Sequence, residues 1–245
     1  MKAMLKKIQL HTVYFTASRA TLAFAVCLLL IVPLTALAHG VANSDQAFIS
    51  GGSGKMIFAY LYLGAKHMIT GYDHLLFLLG VIFFLYKMRD VALYVSLFAI
   101  GHSLTMVAGV WWNIQVSPYL IDAIIGFSVV YKALDNLGMW EKWLGRAPDT
   151  RAATLIFGLL HGFGLATKIQ EFGIPEDGML INLLSFNVGV ELGQLLALGA
   201  ILIFMGFWRR RASFWKQARL ANYALMICGI ILTATQLISF FSPSA

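Results

Sequence analysis

The sequence predicts an all-α membrane protein, a bundle of six transmembrane helices left after removal of an N-terminal signal peptide. Three observations carry this. Of 245 residues, 60% are hydrophobic and 12% charged, with a mean hydropathy of +0.78, whereas a soluble domain carries about 25% charged residues. Most of the chain falls in apolar runs long enough to cross about 30 Å of hydrocarbon. The first 38 residues have the three parts of a secretory signal.

In that signal, Lys2, Lys6, Lys7 and Arg19 form a basic leader, 21–34 an apolar core, and Ala36-Leu37-Ala38 a small-x-small cleavage site. Cleavage after Ala38 makes His39 the new amino terminus. There its α-amine and imidazole could together chelate an ion as an accessory metal ligand. Residues 39–55, rich in Gly and Ser, read as a flexible periplasmic lead-in. The domain 56–245 then holds spans at 71–87, 91–112, 118–137, 152–168, 179–207 and 220–241. The apolar stretch from Met56 to Lys66 is either an interfacial helix or an outer extension of the first span.

Basic residues set the orientation. With His39 outside, the cytoplasmic loops hold eleven Lys and Arg, including Arg209, Arg210 and Arg211, while the outside segments hold only Lys55, Lys66 and Lys168. Both termini therefore face the periplasm, and the protein is expected in the bacterial inner (cytoplasmic) membrane, the lipid bilayer its first partner. The formal charge of +7 is spread over short loops, which argues against nucleic acid. Cysteine is scarce: Cys27 lies in the signal and Cys228 in the last apolar run. The topology permits a three-plus-three inverted arrangement, but no shared motif stands out between the halves.

The ionisable and polar residues inside apolar runs are the informative ones, because each is costly there unless it faces partners or water. His67 and Asp73-His74 form His-x5-Asp-His at the first span. His102 lies in the second, Asp122 one turn into the third, and His161 in the fourth. Asn187, Glu191 and Gln194 share one face of the fifth at i, i+4, i+7. At about 1.5 Å per residue, His102, His161, Asp122 and Glu191 can meet between the membrane centre and its outer third. Imidazoles with carboxylates are the donor set for a borderline divalent ion: nickel, cobalt, zinc or copper. Magnesium and calcium would prefer oxygen cages.

Taken together, His67 to His74 with the following Leu-Leu-Phe-Leu-Leu, Gly101-His102-Ser103-Leu-Thr, Leu-Leu-His161-Gly-Phe-Gly-Leu-Ala, and Phe-Asn187-Val-Gly-Val-Glu191-Leu-Gly-Gln194 resemble the HupE/UreJ family. These are hydrogenase and urease accessory membrane proteins regarded as nickel permeases. The resemblance implies a signal peptide, six helices and metal-ion transport, with the His-x5-Asp-His motif of His67, Asp73 and His74 required and a site role carried over to His161. It also leads one to expect further polar groups after His161-Gly162, where this chain has Gly164 and Ala166.

The leading expectation is therefore a divalent-metal permease, nickel first, and not an enzyme. No Gly-x4-Gly-Lys-[Ser/Thr] occurs, so the chain itself does not couple to ATP. An intramembrane zinc-dependent hydrolase and a metal-delivery accessory subunit for a metalloenzyme are the alternatives. A hydrolase needs three ligands converging on one ion, and a permease needs donors strung along a route. A homo-oligomer, or a maturation partner, is compatible with either.

Overall fold

The computed structural model describes residues 54–171 and 177–242. The signal peptide, nearly all of the lead-in and His39 lie outside the described residues. Among those described, the chain is all helix: α1 Ile57–Thr70, α2 Tyr72–Ile82, α3 Met88–Trp111, α4 Pro118–Asn136, α5 Met139–Leu144, α6 Thr150–Glu171, α7 Met179–Arg209 and α8 Phe214–Phe241.

Local sequence sets the ends of these elements. Pro118 stands at the first position of α4, where a missing N–H costs nothing. Gly138 and Gly145 bracket the short α5 with positive φ, 70° and 72°. Gly178, φ 85°, opens α7. Helices α3, α6, α7 and α8 are long and apolar enough to cross a membrane. Their outward sides match that use. Ile100 and Leu104 in the middle of α3, and Leu195, Leu196 and Ile203 in α7, are all at least 59% exposed. So much outward apolar area suits hydrocarbon, not water. The protein is a multi-pass membrane protein.

The first rod differs from its sequence-predicted bounds. Helix begins at Ile57 and runs ahead of α2, so the stretch from Ile57 to Lys66 is helical, and α2 ends at Ile82. Helices α1 and α2 follow one another along α7. Met56 N donates to Asn182 Oδ1 at 2.7 Å. A β-carbon on Gly64 would lie 2.9 Å from Val190 N, and one on Gly193 would lie 3.0 Å from Met68 Cβ. At the far end, Arg209 Nη2 donates to the carbonyls of Ile82 (2.5 Å) and Phe83 (2.9 Å), capping α2. The rod is thus one run in the direction of α7, broken at Gly71 (φ −74°, ψ 92°). Helix α4 is shorter and carries Asp122, Lys132 and Asp135, yet lies within the same bundle.

Packing is pairwise and backbone-close. α1 lies on α7, α3 on α6, and α4 on α8, with glycines at each crossing. Small residues let helices approach where lipid supplies no hydrophobic drive, so van der Waals packing holds the bundle together. Gly164 and Ala166 belong to this set. A β-carbon on Gly164 would lie 2.5 Å from Ile121 Cγ2, and Ala166 already fills the space beside Gly109. Bulkier polar groups there would hold α6 away from α3 and α4.

The bundle has two ends. The Pro118 end gathers the starts of α1, α4 and α7 with the ends of α3 and α6. The Arg209 end gathers the end of α2 with the starts of α3, α6 and α8. An aromatic cluster closes the latter, with Trp208 5.6 Å from Phe83 and 5.4 Å from Phe214 between ring centroids.

Candidate metal site

The site begins at the break in the first rod. Gly71 leaves room that the turn needs. A β-carbon there would lie 2.8 Å from His74 Nδ1 and 3.2 Å from Asp73 Oδ1. With that space open, Asp73 folds back over the first turn of α2. Its Oδ1 accepts the His74 backbone N–H and the His74 Nδ1–H, both at 2.9 Å. The carboxylate thereby fixes the ring's orientation and leaves Nε2 as the free lone pair.

Three further imidazoles surround His74. Ring centroids lie 5.1 Å away for His161, 5.3 Å for His67 and 6.1 Å for His102. His161 Nδ1 donates to the Phe157 carbonyl one turn back, at 2.6 Å. A carbonyl can only accept, so that bond too leaves Nε2 bare. His74, His102 and His161 are 4%, 1% and 1% exposed. His74 Nε2, His161 Nε2 and both nitrogens of His102 have no hydrogen-bond partner among the described residues. Each such buried group costs about 1–3 kcal/mol unless something ligates it.

Aromatic rings wall the cluster. Phe98 lies 4.9 Å from His161 and 6.0 Å from His102, Phe77 5.7 Å from His161, and Phe186 6.3 Å from His67. They exclude water and fix ring positions without offering competing donors. The rings are spaced by their own widths: among the described residues, no three His, Cys, Asp or Glu side chains are already converged on one point.

The other expected residues lie elsewhere. Asp122 gives both oxygens to Lys168 Nζ, at 3.1 and 3.0 Å, and is not brought to the rings. Asn187 Oδ1 accepts from Ser103 Oγ at 2.8 Å, joining α7 to α3. Glu191 is exposed on the outside of α7, while Gln194 is buried with both amide atoms unpartnered among the described residues. The polar stripe of the fifth span therefore straddles the edge of its buried face. Sequence reasoning counted Lys168 as a loop charge and missed its pairing. The signal available was its helical register one turn beyond Gly164, facing the third span.

A family model, HupE / UreJ protein, matches residues 43–243, which includes every described element. The chain belongs to the HupE/UreJ family. No curated protein and no solved structure matches it. All four quoted motifs of this HupE/UreJ chain fall inside the matched span, and three of them deliver their histidines to the one cluster.

Proposed function

We propose that this HupE/UreJ protein is a permease for a divalent transition-metal ion, nickel before cobalt, zinc or copper, and that the histidine cluster is where the ion pauses. The observation that carries the reading is the set of bare, buried imidazole nitrogens around His74, two of them oriented by bonds to their opposite nitrogens. Neutral imidazole suits these ions, and a carboxylate behind a ligating ring raises its basicity. Donors separated by whole rings, not drawn into a closed cage, suit a passing ion, which must bind well enough to shed water and weakly enough to leave. Broken helices at mid-membrane are where transporters hold ions, and α1–α2 breaks beside His74.

In this reading the six rods, α1–α2 counted as one, cross the inner membrane. Asp73 acts through His74, and Asp122, Asn187 and Glu191 do not touch the ion at the cluster. Isothermal titration of purified protein tests the site. Wild type should bind Ni²⁺ or Co²⁺, and His74→Ala and His161→Ala should each weaken binding at least tenfold. Uptake of radiolabelled nickel by cells should fall in parallel. No binding of nickel, cobalt, zinc or copper would sink the proposal. Binding without uptake would instead mark an accessory metal-delivery role.

A further inference from the structure

The crossings repeat one another at matching residues. Gly64 of α1 presses on the Phe186 carbonyl of α7, and Gly158 of α6 presses on the Phe98 carbonyl of α3. A β-carbon on Gly189 of α7 would meet the Leu61 carbonyl and lie 3.0 Å from Ala65 N. One on Gly101 of α3 would lie 2.7 Å from the Leu155 carbonyl and 2.9 Å from Leu159 N. In the third pair, a β-carbon on Gly126 of α4 would lie 2.7 Å from Thr233 N of α8, and one on Gly229 of α8 would lie 2.9 Å from Val130 N of α4. Each of these contacts becomes its partner if the first three rods are exchanged for the last three.

The sequence keeps the same register. Leu61-Tyr-Leu-Gly64-Ala-Lys-His67 aligns with Leu155-Ile-Phe-Gly158-Leu-Leu-His161. Phe98-Ala-Ile-Gly101-His-Ser-Leu104 aligns with Phe186-Asn-Val-Gly189-Val-Glu-Leu192. Because each unit has three rods, the second enters the bundle from the opposite end. The relation is therefore a pseudo-twofold axis across the rods. It passes between α3 and α7, beside the Ser103–Asn187 contact, and where α4 crosses α8.

The axis relates two bodies of the same build, α1–α2 with α7 and α3 with α6. His67 and His161 are equivalent positions, 5.3 and 5.1 Å from His74. The first body supplies His67 and His74, the second His102 and His161, so the cluster spans the seam between them. The bodies differ in bend. The first is broken at Gly71, whereas its equivalent, Leu165, lies within unbroken helix. Where the first has Asp73-His74, the second has Thr167-Lys168. Thr167 Oγ1 accepts from Val116 N at 3.3 Å, and Lys168 is tied to Asp122 of α4.

We infer that the chain is an inverted duplication of a three-rod unit, and that its two equivalent bodies rock about the pseudo-twofold axis so that the histidine cluster opens to one membrane face at a time. The two bodies share one build but hold different bends, so the cluster at their seam is presented unequally to the two ends. Exchanging the bends exchanges which end is open. The rocking rests on the permease reading, whereas the duplication stands without it.

Because α3 and α7 belong to different bodies, distances between their ends read the motion directly. In a background lacking Cys27 and Cys228, spin labels at Trp112→Cys and Leu180→Cys report the Pro118 end. Labels at Met88→Cys and Phe207→Cys report the Arg209 end; all four residues are exposed. Electron–electron double resonance of the full chain in lipid nanodiscs is compared with and without Lys168→Gln, which releases α6 from α4. Should that variant fail to insert, Asp122→Asn releases the same tie. The expected result is opposite shifts at the two ends, one distance lengthening as the other shortens. Shifts in the same sense, at one end only, or at neither would overturn the rocking. Radiolabelled nickel uptake by the unlabelled wild type separates the two ideas. Opposite shifts without uptake sink the permease reading alone, and uptake without opposite shifts sinks the rocking alone.

Discussion

At the scale of the residue, the cluster is organised through Asp73. Its Oδ1 accepts two bonds from His74, so it positions the ring. Asp73→Asn keeps an acceptor but removes the charge that raises ring basicity. Outer-shell changes of this kind cost roughly 10–100-fold in metal affinity. We expect that loss by titration with Ni²⁺, with membrane abundance unchanged; wild-type affinity in the variant would give Asp73 a purely structural part. Much of this site was legible in the sequence. His67, His74, His102 and His161 are costly in or beside apolar runs of three different spans, and such residues must find one another. Asp122 and Glu191 were not placed so well, because depth along a helix says nothing of rotation about it. Asp122 turned out to serve Lys168, and Glu191 lies on the exposed side of α7.

At the scale of the element, span lengths follow from apolar runs, and four of the expected spans, 91–112, 118–137, 152–168 and 179–207, begin and end within about three residues of α3, α4, α6 and α7. The first span was harder to read, since Lys66 and His67 interrupt its hydrophobicity just where α1 gives way to α2. What the runs do not reveal is which helices touch. That is decided by glycines whose role shows only once a partner backbone lies over them. Gly64→Leu should drive a side chain into the Phe186 carbonyl and separate α1 from α7, costing at least about 1–3 kcal/mol. Gly199 and Gly206 lie on the same helix as Gly189, with nothing within 4 Å of a β-carbon, so alanine at either should be neutral. Thermal unfolding in detergent distinguishes them. Equal Tm values for Gly64→Leu and Gly199→Ala would refute this account of the packing. Gly71→Ala makes a different claim: its β-carbon would crowd His74 Nδ1, so nickel affinity should fall more than Tm.

For the whole molecule, the all-helical bundle was legible and its internal symmetry was not. The equivalence rests on a few Gly, His and Phe positions, and each helix pair aligns at its own spacing because the connections differ, α5 being inserted in only one of them. Pairing across the halves has a bearing on how the protein is made. Apart from Gly80 of α2, which meets Lys132 of α4, the close glycine crossings of the first half are made with rods of the second. Helix α1 needs α7, whose Asn182 lies 126 residues beyond Met56, and α3 needs α6, as α4 needs α8. Most of the close packing of the first three rods therefore becomes available only once the second half has been made. A chain cut between Gly145 and Arg146 should therefore behave as two interdependent pieces. Expressed alone, each should be degraded by membrane proteases, and expressed together they should co-purify and recover nickel binding. Stable accumulation of the first piece by itself, seen by immunoblot of membranes, would show that its rods find partners without the second.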